Sequence, residues 1–234
     1  MYNMKKAVII LCTLALACSC TFSFNNNSKR VVCKGDVVEK TLDLADFNAI
    51  NVKGSSDMVI TQSDVYSVKV TANEQVFEHL DYEVNDGWLE IKTIDNVQIV
   101  AKTYKIYVSV PSLENLQVNG AADAEINNFS SDKDLNVMVN GAGDFELSGI
   151  QVPSLSFVVN GAGDIEAAGL DVENVSVTVT GAGDVHLSGK AKMAKMVVTG
   201  AGDIDASGLE VEDWELNKNG FTSVKLPKKV SDQQ

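Results

Sequence analysis

Asn140-Gly141-Ala142-Gly143-Asp144 returns as Asn160-Gly161-Ala162-Gly163-Asp164, then as Thr180-Gly181-Ala182-Gly183-Asp184 and Thr199-Gly200-Ala201-Gly202-Asp203. An earlier variant is Asn119-Gly120-Ala121-Ala122-Asp123, and Asn219-Gly220-Phe221 is a decayed last copy. From the first Gly to the fifth the spacings are 21, 20, 20 and 19 residues. A five-residue word recurring at that regularity is an internal repeat, and it outranks every other signal in the chain.

The flanks repeat as well. Four and two residues before the Gly stand Leu116/Val118, Val137/Val139, Phe157/Val159, Val177/Val179 and Met196/Val198. Four and six residues after it stand Ala124/Ile126, Phe145/Leu147, Ile165/Ala167, Val185/Leu187 and Ile204/Ala206. Apolar residues at alternate positions on both sides of a Gly turn spell strand, tight turn, strand. A second Gly closes the second strand at Gly149, Gly169, Gly189 and Gly208. A unit of about 20 residues cannot enclose a core alone, but its apolar positions can stack on those of the next unit. The expected fold is all-β: a parallel β-helix, or solenoid, with coils of about 20 residues over residues 112–226. In such a stack the turn Asn can hydrogen-bond to its equivalent one coil up, and Gly permits positive φ without a Cβ penalty. A propeller blade would be about twice as long.

Residues 47–111 carry the same frame in weaker form. Ile50-x-Val52-x-Gly54-Ser55-Ser56-Asp57-Met58-x-Ile60 matches it position by position. Strand-like runs follow at Val68–Val70, Leu89–Ile91 and Ile106–Val110, with a hairpin signal at Asn85-Asp86-Gly87. These are expected to be less regular β coils in the N-terminal half of a single domain, residues 40–226, ahead of a C-terminal tail, 227–234.

At the N-terminus Lys5 and Lys6 precede an apolar run, Ala7 to Ala17, that ends in Ala15-Leu16-Ala17-Cys18-Ser19-Cys20. A short basic region followed by about a dozen apolar residues is a secretory signal, too short to span a bilayer. Small residues before each cysteine resemble a bacterial lipobox, which implies cleavage after residue 17 and acylation of Cys18, with Cys20 as the alternative. Residues 1–17 are then signal peptide and 18–39 a lipidated tether. Cys33 is the only cysteine of the body, and could pair with Cys20 or another chain or remain a free thiol.

Charge narrows the partners. With 19 Lys plus Arg against 32 Asp plus Glu, the formal charge is −13, and the single arginine is Arg30. No basic footprint for nucleic acid exists in such a chain. The turn acids Asp123, Asp144, Asp164, Asp184 and Asp203 are expected to align along one edge, with Asp57 further down. Neighbouring carboxylates about 4.8 Å apart repel by roughly 1 to 3.5 kcal/mol. Backbone N–H groups of the turn can offset this, as in Asx-turns; a row of calcium ions or a ligand-binding acidic stripe are the alternatives. One Asp per coil supplies few ligands per ion, so no cofactor is expected beyond that calcium alternative. The two histidines, His79 and His186, fall on a short helix or loop and on an outward strand position, and Trp88 and Trp214 occupy strand-like packing positions. No Gly-x-Ser-x-Gly elbow, metal-spaced Cys/His set or phosphate loop is present, and no catalytic residue is assigned.

The order Phe47-x-x-Ile50-x-Val52-x-Gly54, then Leu89-x-Ile91, then Val108-x-Val110-Pro111-x-Leu113, then repeated Gly-Ala-Gly-Asp, resembles the head GIN domain family over residues 40–225. These autotransporter-adhesin-like domains are frequent in lipoproteins of the Bacteroidetes. The resemblance implies a right-handed parallel β-helix and an envelope location, and it carries no site residues. A non-catalytic outer-membrane lipoprotein is the expected function, facing the periplasm or the cell surface. Its partners would be the membrane through the lipid anchor and a glycan or envelope protein that the head binds or scaffolds. The alternative is a carbohydrate-active β-helix enzyme of the polysaccharide lyase or hydrolase type.

Overall fold

The computed structural model describes residues 29–94 and 97–230. The signal segment, Cys18 and Cys20 lie outside the described residues. The described residues are all-β, with one short 3-10 helix, and their strands form one large curled mixed sheet beside a two-stranded one.

The repeat words stack in register. Leu135–Ala142 runs parallel to part of Phe145–Ala162 with Asn140 opposite Asn160 and Gly141 opposite Gly161. The same register carries Gly161 onto Gly181 and Gly181 onto Gly200. Core columns follow from it: Leu116, Val137, Phe157, Val177 and Met196 lie over one another, all essentially inaccessible. A second column after the turn holds Ala124, Phe145, Ile165 and Val185. Each buried side chain of this size contributes about 1.5–3 kcal/mol, and no unit could realise that gain without its neighbours.

Ile50-to-Ile60 is a member of this ladder, as its frame predicts. Ala49–Ser55 pairs parallel with Asn115–Ala121, placing Gly54 opposite Gly120, and Asp57–Gln62 pairs with Ala124–Ser130. The rung beyond it is Trp88–Thr93 with Tyr104–Val110, again parallel, Leu89 against Ile50 and Ile106 against Met58. Spatial order therefore departs from chain order. The segment 49–62 is sandwiched between a rung that follows it by about 40 residues and one that follows by about 66.

The N-terminal part corrects the expectation of parallel coils throughout. Val37–Leu42 is antiparallel to Ser67–Asn73, which is antiparallel to Tyr104–Val110. Leu80–Asn85 is antiparallel to Trp88–Thr93 across a hairpin turn at Asp86 (φ 49°) and Gly87 (φ 79°). These strands, with the 3-10 helix Glu74–His79, close one end of the stack. Buried Asn73 ties that closure together, donating to the Gly35 carbonyl at 2.9 Å and accepting the amides of Lys102 and Thr103 at 3.0 and 3.1 Å. Part of the segment expected as tether is in the fold instead, since Lys29–Val32 pairs with Val97–Val100 and Val37–Leu42 joins the large sheet. Backbone pairing holds these residues although their side chains are mostly polar or exposed. Cys33, between the two strands, is a free buried thiol among the described residues, and burial raises its pKa.

The other end finishes differently. Trp214, 20 residues after the column Leu135, Leu155, Val175, Ala194, packs partly buried against the core at this end. Lys218 stands exposed in the column that holds buried Val52, Val118, Val139, Val159, Val179 and Val198, and its amine donates to the Thr222 carbonyl at 3.5 Å. The expected tail also contributes: Lys228–Lys229 pairs parallel with Glu210–Val211. A short strand and a lysine on the end rung are devices that discourage edge-to-edge pairing.

Candidate functional site

Ladder strands alternate inward and outward, so each outward row is one residue type repeated along the stack. Two such faces flank the Gly turn.

Beyond the turn the face is acidic. Asp123, Asp144, Asp164, Asp184 and Asp203 are all exposed and lie one above another. The carboxylates do not cap their own turn. Asp144 donates its amide to Asp123 Oδ1 at 2.9 Å, Asp184 to Asp164 at 2.7 Å, and Asp203 to Asp184 at 2.8 Å. Ser223 donates to Asp203 in the same way at 3.3 Å. Asp123, Asp164, Asp184 and Asp203 thus each receive an N–H from the next rung, which corrects the expected local Asx-turn. A hydrogen bond to a charged acceptor contributes about 1.5–3 kcal/mol, comparable to the repulsion between neighbouring acids. Asp57 opens its strand opposite Lys105. Among the described residues no three His, Cys, Asp or Glu side chains converge as a metal cage.

Two residues further on lies a second row: Glu125, Glu146, Glu166 and His186. A lysine closes each end, Lys105 to Glu125 at 3.5 Å and Lys225 to Asp205 at 2.7 Å. Asp205 is held well below the usual carboxylate range, chiefly by the Lys225 hydrogen bond and then by Ser207, and Lys225 is raised in turn. His186 is exposed on this face, while His79 ends the 3-10 helix of the closed end, so the structure does not bring the two together. Trp88 is half-buried in the closure, and Trp214 packs on the core.

Before the turn the face is nearly uncharged. One row is Asn119, Asn140, Asn160, Thr180, Thr199. Asn140 donates to Asn119 Oδ1 and Asn160 to Asn140 Oδ1, both at 3.0 Å, as the stacked turn predicts. Asn119 extends the chain to Asn51 at 3.1 Å, a partner outside the repeat word. The middle row is Gln117, Met138, Val158, Thr178, Val197, and the outer row Asn115, Asn136, Ser156, Ser176, Lys195. Sequence reasoning found the turn Asn and Thr row but passed over the middle and outer rows, although their spacing is equally plain. The signal was the lack of charge at outward positions in an otherwise acidic chain.

The family model described as "Putative auto-transporter adhesin, head GIN domain" matches residues 46–170 and 154–229. The chain belongs to this head GIN domain family. Its stacked turns lie within the matched residues, as does the antiparallel closure apart from Val37–Leu42. This GIN domain also resembles solved structures in fold. One is that of a putative adhesin from Bacteroides fragilis, at 18% identity and a TM-score of 0.64, covering 86% of this chain and 100% of that one. Another is that of a putative lipid binding protein from Parabacteroides distasonis, at 19% identity and a TM-score of 0.53, covering 87% of this chain and 100% of that one. No curated protein matches the chain. No helix among the described residues is long and apolar enough to cross a membrane.

Proposed function

We propose that this GIN domain is the rigid, non-catalytic head of a cell-envelope lipoprotein, a right-handed parallel β-helix that offers its faces to a glycan or an envelope protein. The observation that carries the reading is the register: the turn residues of five successive repeats superpose, with amide and carboxylate links running from rung to rung. Such a stack fixes outward side chains in rows without any ligand, which suits recognition of an extended partner. The family description and the name given to the Bacteroides fragilis neighbour point the same way, toward adhesion. Acylation at Cys18, with Cys20 as the alternative, would anchor the head in the outer membrane. Residues 18–28 would then be the tether, reaching at most about 40 Å before the first strand. The closed, antiparallel end would face the membrane and the lysine-guarded end would point away. The aspartate row serves the stack as a cross-rung cap and calls for no calcium.

Glycan-array binding by the full chain purified in detergent, combined with an assay for newly formed reducing or unsaturated ends, tests the reading. Retention without product is expected. Product release from any bound polysaccharide would overturn the non-catalytic assignment in favour of a lyase or hydrolase. Loss of radiolabelled acyl chain and of membrane fractionation in Cys18→Ser is expected for the anchor; retention of both would move the anchor to Cys20.

A further inference from the structure

We infer that the ligand surface is the uncharged face before the turn, not the acidic face beyond it, and that it takes a neutral, ribbon-like polysaccharide lying along the stack. The inference rests on the binding reading above and adds the surface and the ligand class.

Charge makes the first distinction. The three outward rows of five contain one ionisable side chain, Lys195, and it is paired to Glu215 at 3.3 Å. At the opposite end of the same sheet Lys53 is paired to Glu90 at 3.3 Å. The field is therefore neutral and its borders are self-neutralised, in a chain of formal charge −13. An anionic polymer is repelled by that net charge, and a cationic one is drawn to the carboxylate rows on the other face. A neutral polymer gains from neither. On the acidic face it would have to strip water from carboxylates, which is costly without a compensating charge, whereas amides and hydroxyls exchange water for ligand hydroxyls at little net cost.

Shape and chemistry make the second. Met138, Val158, Thr178 and Val197 form a ridge of half-buried or exposed, mostly apolar side chains. On either side run rows of amides and hydroxyls. A flat sugar chain has the same cross-section, with C–H faces and hydroxyl edges, so its rings fit the ridge and its hydroxyls the flanking rows. Asn140, in mid-ladder, uses one N–H and one oxygen lone pair on its rung neighbours, leaving a donor and an acceptor lone pair free. Such amides are already ordered in the unliganded protein, which removes part of the entropic cost of binding. Rungs are about 4.8 Å apart, so five of them span roughly 20 Å. Contacts that repeat at each rung make affinity climb with oligosaccharide length until that span is filled.

Affinity electrophoresis of the full chain in detergent, in gels containing soluble mixed-linkage β-glucan or polygalacturonate, tests this. Retardation by the glucan and none by polygalacturonate is expected, and glucan oligosaccharides should compete better with increasing length. Thr178→Lys, at the centre of the ridge, should weaken the glucan interaction at least tenfold with cooperative melting retained. Should that variant not fold, Val158→Thr, which keeps shape and removes apolar surface, should still weaken it several-fold. Glu146→Gln with Glu166→Gln on the acidic face should change it less than twofold. Absence of glucan retardation, stronger retardation by polygalacturonate, or loss of binding only in the acidic-face variant would each overturn the inference. The last would leave the binding-head reading intact, while glucan cleavage would overturn that reading and leave the surface assignment standing.

Discussion

The closed end and the ladder are built from the same strand material under different rules. In the closure, Val68 and Val70 are buried as completely as any ladder residue, but the strands on both sides of them run antiparallel and no position repeats. Its turn glycine has room: a Cβ on Gly87 would come no nearer than 3.4 Å to Asn48. In the ladder a Cβ on Gly181 would lie 1.9 Å from the Gly161 carbonyl oxygen, and Gly141, Gly161 and Gly200 repeat that collision against the rung before. The ladder core is more forgiving than its corner. One inner column passes from Leu135 and Leu155 to Val175 and Ala194. Stacked backbones demand identity where they touch and only apolarity where side chains fill the interior.

The sharpest way to break that contrast is a pair of glycine substitutions. Gly181→Val should cost more than about 4 kcal/mol or prevent folding, because φ is +137° and the new side chain meets backbone on the adjacent rung. Gly87→Ala should cost only about 1–2 kcal/mol, the strain of a left-handed conformation with space around it. Urea melts of both variants provide the check, and equal losses would remove the distinction. Next in size is Phe145→Ala in the ladder core, expected to cost about 3–5 kcal/mol by the same measurement. Asn140→Ala removes two rung-to-rung links and should cost about 1–2 kcal/mol, while Asn140→Thr, the residue later rungs use, should recover part of it.

The smallest effect concerns the guarded end and is best read locally. Asp205 and Asp213 have folded-state pKa values below the usual range through Lys225 and Lys229. Groups depressed on folding stabilise the native state fully above the ordinary carboxylate range of about 4 and lose that contribution as pH falls toward the depressed value. Amide hydrogen exchange of residues 212–225, corrected for its intrinsic pH dependence, should therefore show weaker protection below about pH 4, with the ladder interior unchanged. Lys218→Val should have the opposite signature at neutral pH. It restores an apolar column but unguards the edge, so light scattering at micromolar concentration should register self-association that the parent lacks.

Much of this architecture is legible before any coordinates. The Gly word, its apolar flanks, the stacked Asn and the Asp86-Gly87 hairpin are local or periodic, and the structure has each where the pattern puts it. The membership of residues 50–60 in the same ladder followed from the frame alone, while the likeness to the GIN family rested on the order of motifs from Phe47 through Leu113 to the Gly-Ala-Gly-Asp words. The surface rows were equally available in the sequence, yet attention to charged residues hid a face defined by having almost none.

Neighbour, direction and spatial order were another matter. Alternation says which side of a strand is buried, and it is identical for parallel and antiparallel partners. Nothing in Leu89-x-Ile91 or Ile106-x-Val108 announces that their rung lies beneath residues 49–62 rather than between them and residue 115. Polar strands such as Lys29–Val32 are held by backbone pairing, which leaves no side-chain signature. The single residue missing from the 19-residue interval also has no visible address in one dimension; the fold places it at the register shift where Leu170 faces Gly189. Short-range repetition is written in residue identity because like groups touch at fixed intervals. Long-range pairing is selected by the collective burial of surfaces whose one-dimensional patterns are the same.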